Sequence, residues 1–140
     1  WNTNGFCIKL VKIICFSLAT LISMSASAAN WVKVGTSTDA TDYYLDSKSI
    51  KRNGNTVKAW VKGSKKLDDS MIPNSGGIQM YIEKDEISLI EISCKNETYR
   101  LLAAQKIYLS GKTVNYNYND LSWKYITPES VIETIHGKIC

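Results

Sequence analysis

From residue 31 onward the chain alternates apolar and polar positions, a period that predicts strands. "NWVKV" sets Trp31 and Lys33 against Val32 and Val34, a short strand with one candidate buried face. The turn-like "TSTDATD" follows, and "YYLD" reads as a second strand. In "IKRNGNTVKAWVKG" the pair Asn53-Gly54 separates a short apolar stretch from an alternating one, the strongest local hairpin signal in the chain. Alternation along the second arm turns Val57, Ala59 and Val61 toward a core and Lys58, Trp60 and Lys62 to the opposite face.

Residues 63–77 mix Gly, Ser, Pro, Asn and charge without a period and predict a long mobile loop. Beyond it, "ISLIEISC" (87–94), "TYRLLAAQKIYL" (98–109) and "TVNYNYN" (from 113 to 117 and on) predict strands joined by short turns, an antiparallel meander. "LLAAQK" also contains good helix formers, so a helix is the alternative there. The end of the chain changes period. "TPESVIETIHGKIC" offers Thr127 as N-cap, Pro128 at the first helical position and Gly137 as the stop, with Val131, Ile132 and Ile135 on one apolar stripe. So short a helix does not persist alone and must pack on the sheet. The fold class is α+β: about six antiparallel strands and a short C-terminal helix.

Composition adds a compartment. Lys9 and Lys12 precede an apolar run of 12 residues, 13–24, and then the small-residue stretch "SASAAN", the order of an export signal cleaved after Ala28 or Ala29. A membrane span needs roughly 20 apolar residues, so the run is read as a leader. The chain then divides into a signal peptide, 1–29, and one domain, 30–140, with no membrane span. Export leads to the periplasm or the cell surface.

Removing the leader leaves Cys94 and Cys140. In an oxidising compartment a disulfide between them is the default, with two free thiols or an intermolecular bridge as the alternatives. The closed loop, 47 residues counted inclusively, restricts the unfolded chain by roughly 4 kcal/mol in the loop-entropy description.

Several pieces stand in order along the chain: the Trp-led strand "WVKVGTS", the "DSKSI" stretch with Asp46, Ser49 and Ile50, and "VKAW" with Trp60. "CKNETYRLL" with Cys94 and Arg100, the Trp123, Pro128, Ser130 series and the terminal cysteine complete the set. Together they resemble the surface-adhesin protein E family of exported bacterial domains. The resemblance covers residues 31–140 and implies a curved antiparallel sheet packed on a C-terminal helix, with a disulfide tying the two. It also implies attachment to host matrix proteins, a function that similarity of fold does not by itself transfer.

No catalytic set is present. His136 is the one histidine, placed in the last turn of the expected helix where the dipole favours a cation, and a nucleophile–base pair needs more than that. Neither a zinc spacing nor a phosphate-binding loop occurs, so no metal or cofactor is expected. Charge distribution is more informative. The chain's formal +4 falls to about +2 without the leader lysines, yet residues 47–67 hold seven basic and no acidic residues, while 68–97 carry a net −5.

An aromatic among cations on a sheet surface suits an anionic polymer, so Lys58, Trp60, Lys62, Lys65 and Lys66 form the candidate binding set. The competing reading is that the lysine stems merely cover Trp60. The acidic segment would neutralise the patch within one subunit or meet it across a homodimer. Expected partners are a host matrix protein or an anionic polysaccharide, and export argues against nucleic acid. A periplasmic structural or stress-related domain without a host ligand is the alternative function.

Overall fold

The computed structural model describes residues 28–68 and 81–140. The expected leader up to residue 27 and positions 69–77 of the expected loop lie outside the described residues. Eight strands and one α-helix follow: β1 (Trp31–Thr36), β2 (Thr41–Asp46), β3 (Lys51–Asn53), β4 (Thr56–Lys65), β5 (Glu83–Ser93), β6 (Thr98–Tyr108), β7 (Thr113–Asn117), β8 (Lys124–Tyr125) and α1 (Val131–Ile139). All pair antiparallel in the order β1-β2-β4-β5-β6-β7.

The expected count of about six strands is corrected to eight among the described residues, because two positions of the sheet are each filled by two short strands in succession. β2 pairs with 61–65 of β4 and β3 pairs with 56–58 of the same strand. Between them the chain makes a single 3-10 turn, Ser47–Ser49, and the Ser49 hydroxyl accepts the Trp60 N–H at 2.9 Å, filling the gap in the ladder. β7 and β8 likewise share β6. Register shifts between Lys33 and Gly35 on β1, and between Leu89 and Ile90 on β5, mark bulges that bend the sheet.

The hairpin at 53–56 closes as expected, with its centre moved by one residue. Asn53 pairs with Thr56, so Gly54-Asn55 form the two-residue loop. Gly54 has φ +57° while Asn55 keeps negative φ, the demand of a type II′ turn. "LLAAQK" lies within β6 and not in a helix, since pairing along both edges outweighs its local propensity.

Two boundaries differ further. β4 runs through Gly63, Ser64 and Lys65, which the sequence reading places in a loop; they pair with Tyr43, Asp42 and Thr41. Tyr43 packs so closely over Gly63 that a Cβ there would lie 3.2 Å from the ring. At the C-terminus the N-cap is Ser130, not Thr127, because Glu129 has φ +60° and breaks any helix started earlier. Ser130 Oγ accepts the Glu133 N–H at 3.1 Å and the Glu133 carboxylate accepts the Glu129 N–H at 2.7 Å, a relative of the capping box. Gly137 does not stop the helix, which continues until Ile139 is buried.

One face of the sheet supplies Leu45, Val57, Ala59, Val61, Ile90 and Ile92, and α1 lays Ile135 and Ile139 on them. Cys94 and Cys140 are joined, their Cα atoms 5.5 Å apart, which fastens the end of α1 to the β5–β6 turn. His136 Nε2 sits 3.5 Å from the Cys94 carbonyl in the same corner.

Candidate functional site

The face turned away from α1 carries every tryptophan among the described residues. Register explains their arrangement. Trp31 opposes Asp46, Lys33 opposes Tyr44, Tyr44 opposes Lys62 and Trp60 opposes Leu89, so rings and cations from β1, β2 and β4 share one side with Leu89 of β5. Lys62 Nζ lies 5.0 Å from the Trp31 ring centre and 4.9 Å from that of Tyr44, held by the negative faces of both rings. Trp123, just before β8, is 4.5 Å from the Arg100 guanidinium.

Trp60 stands between two hollows on this face. One, about 500 Å³, is bounded by Trp31, Ile87, Ala103, Gln105 and Asn115. The other, about 380 Å³, is bounded by Lys48, Lys51, Lys58 and Leu89. Lys48 and Lys51 belong to the basic segment but not to the candidate set drawn from sequence. The 3-10 turn lays β3 beside β4 and brings Lys51 opposite Lys58.

Lys58, Trp60 and Lys62 therefore do share a face. Lys65 does not join them: it registers with Thr41 on the helix-bearing side and pairs with Glu83 at 3.2 Å. Lys66 lies at the rim, 3.5 Å from Asp42. Lys58 is 3.7 Å from Glu91, a buried carboxylate whose main partner is Arg100, with Nε at 2.7 Å. Glu83 and Glu91 come from the acidic segment, so it meets Lys65 and Lys58 within one chain. Signals that lead to Lys48 and Lys51 were present in the charge run; those for Tyr44 and Trp123 were not, because they depend on which strands become neighbours.

The rim has its own electrostatics. Asp42 accepts from Lys33 at 2.8 Å and from Thr36 Oγ1 at 2.6 Å, and these contacts, the lysine first, hold its carboxyl down at about 2. Lys33 is raised in return, chiefly by the same hydrogen bond. Burial pushes Glu83 up, but hydrogen bonds from Lys106 and Lys65 outweigh it and leave the carboxyl lowered. Among the described residues no three His, Cys, Asp or Glu side chains converge to hold a metal, and no helix is long and apolar enough to cross a membrane.

The family profile described as surface-adhesin protein E matches residues 31–140. The chain belongs to the surface-adhesin protein E family. Haemophilus influenzae protein E has a similar fold in three solved structures. In the first the TM-score is 0.53 at 12% identity, over 81% of this chain and 85% of that one. Crystal form II gives 0.52 at 14%, over 81% and 88%. The selenomethionine form gives 0.51 at 13%, over 81% and 92%. No curated protein sequence matches significantly. At these identities the likeness is one of fold, and family membership places the domain among exported proteins.

Proposed function

We propose that this domain is a non-enzymatic surface adhesin whose open sheet face binds an anionic polysaccharide of the extracellular matrix. The observation that carries the reading is Trp60 beside a hollow edged by Lys48, Lys51 and Lys58. A sugar ring stacks on an indole face while a sulfate or carboxylate group is met by the ammonium groups, which lie close enough to act together. Membership of an adhesin family supports the same direction. Lys62, clamped between two rings, serves to orient Trp31 and Tyr44 on the same surface.

Heparin is the probe. Replacing Lys51 and Lys58 with Gln, or Trp60 with Ala, is expected to weaken heparin binding by about tenfold or more, equivalent to ~1.4 kcal/mol. Lys65→Gln, on the other side of the sheet, is the control and should leave binding unchanged. Unaltered retention of the Lys51/Lys58 variant at moderate salt defeats the reading. Detection of the protein only in the periplasm, never on intact cells, defeats the adhesin assignment and favours the periplasmic alternative.

A second reading has its own observation. The 500 Å³ groove is lined by Trp31, Trp60, Ile87 and Ala103, a chemistry fitted to an apolar segment of a matrix protein. Trp31→Ala that abolishes capture by immobilised matrix protein while sparing heparin binding would select it.

A further inference from the structure

The sequence leaves two sites for leader removal, after Ala28 or after Ala29. We infer from the structure that cleavage falls after Ala29, and that the new α-ammonium of Asn30 forms an ion pair with the buried carboxylate of Asp46.

Asn30 is anchored through its backbone nitrogen, its carbonyl and its side-chain Nδ2. Its backbone nitrogen is 2.9 Å from Asp46 Oδ1. Its carbonyl accepts the Ser47 N–H at 3.0 Å, and its side-chain amide donates to Ser47 Oγ at 2.7 Å. Asp46 is 8% exposed, and Oδ1 also accepts the Lys48 N–H at 3.1 Å, which orients the carboxylate toward Asn30. The Ala28 carbonyl meets the Lys48 ammonium at 3.3 Å, and Ala29 lies along the wall of the Trp31–Trp60 groove.

Hydrolysis turns the neutral donor into a charged one. Water adds across the Ala29–Asn30 amide: the leader leaves with the Ala29 carboxylate, and the Asn30 nitrogen gains protons to become an ammonium. Every bond from Asn30 is kept. Its contact with Asp46 becomes charge-assisted on both sides, about twice as strong as a neutral hydrogen bond. Cleavage after Ala28 instead leaves the charge one residue away, beside the groove and out of line with Asp46. Processing after Ala29 also takes Ala29 off the groove wall, so the matured domain presents a wider groove than its precursor.

Two measurements test this. The chain expressed with its full leader and recovered after export is sequenced from its N-terminus. A start at Asn30 supports the inference, and a start at Ala29 or upstream overturns it. Separately, domains starting at Ala29 and at Asn30 are released from fusions that leave no extra residue, and their melting is compared. The Asn30 form is expected to melt about 4 °C higher, taking a typical entropy of unfolding for a domain of this size. That difference should vanish in Asp46→Asn, which keeps the shape and loses the charge. Equal melting of the two wild-type forms, or a difference that persists in Asp46→Asn, overturns the ion pair. Should that variant not fold, the wild-type comparison and the sequencing still decide.

Discussion

On the helix-bearing face Val57, Ala59, Ile90 and Ile92 meet Ile135 and Ile139 with almost no exposed surface. On the other face the intervening residues Lys58, Trp60 and Lys62 are exposed or half-buried; two rings hold Lys62, and Lys58 lies near the Glu91 carboxylate. One ten-residue strand, β4, thus turns one parity to the core and the other to the proposed binding face. Apolar burial is non-directional and depends on excluding water. A lysine held over aromatic rings is directional and still accessible to a ligand. This division predicts that stability and binding can be changed separately.

The disulfide is the severest test of that separation. Replacing Cys94 and Cys140 with Ser is expected to lower unfolding free energy by about 4 kcal/mol, through the entropy of the opened loop. Denaturant melts in the presence and absence of reductant measure it; a loss below ~1 kcal/mol would mean that α1 docks without its staple. Next comes Ile135→Ala. Removing this fully buried side chain should cost roughly 2–5 kcal/mol, with heparin affinity of the remaining folded protein unchanged. If affinity fell in step with stability, the two faces would be coupled.

Trp60→Ala should show the opposite profile. Stability is expected to fall by about 1 kcal/mol, with the binding loss given above exceeding it. A smaller effect appears on acidification. The Asp42 carboxyl titrates at about 2 when folded against an ordinary 3.8, so its contribution is fully present above the ordinary value and is lost as pH falls from there toward 2. Asp42→Asn should therefore lower stability near neutrality, where the contribution is fully present, and flatten the acid limb of a stability–pH curve between about pH 4 and pH 2. An unchanged acid limb would remove Asp42 from the account. Smallest of all, Lys66→Ala removes an exposed lysine 3.5 Å from Asp42, which keeps its closer Lys33 partner, and should alter stability by no more than about 0.5 kcal/mol in thermal or denaturant melts.

Much of the covered face was legible in the sequence. Val57, Ala59 and Val61 alternate, Val131, Ile132 and Ile135 recur at helical spacing, and the two cysteines of the domain had each other as intramolecular partners. Boundaries were less legible where tertiary contacts overrode local signals. Gly63 and Ser64 have loop chemistry, yet they extend β4 because β2 lies alongside and the Tyr43 ring needs a neighbour without a side chain. The start of α1 moved to Ser130 because the backbone at Glu129 is left-handed, a conformation that the Thr127-Pro128 signal does not disclose.

For the candidate site, Lys58, Trp60 and Lys62 followed from alternation alone. Lys65 falls outside that alternation as long as Gly63 and Ser64 read as a loop; once β4 reaches it, the same rule sends its odd position to the helix-bearing side. Lys48, Lys51, Trp31 and Tyr44 joined the surface only through pairing between strands distant along the chain.

The sequence by itself determined which residues of each strand and of the helix are apolar, and thus that a one-sided sheet had to find a cover. Those are properties of short windows, set by the geometry of a single strand or a single turn. Only the tertiary structure decided which side chains stand next to Trp60, that two positions of the sheet are each shared by two short strands, and where Asn30 is anchored. Such neighbours are fixed by register between strands and by where α1 comes to rest, and neither is encoded in the local period of the residues concerned.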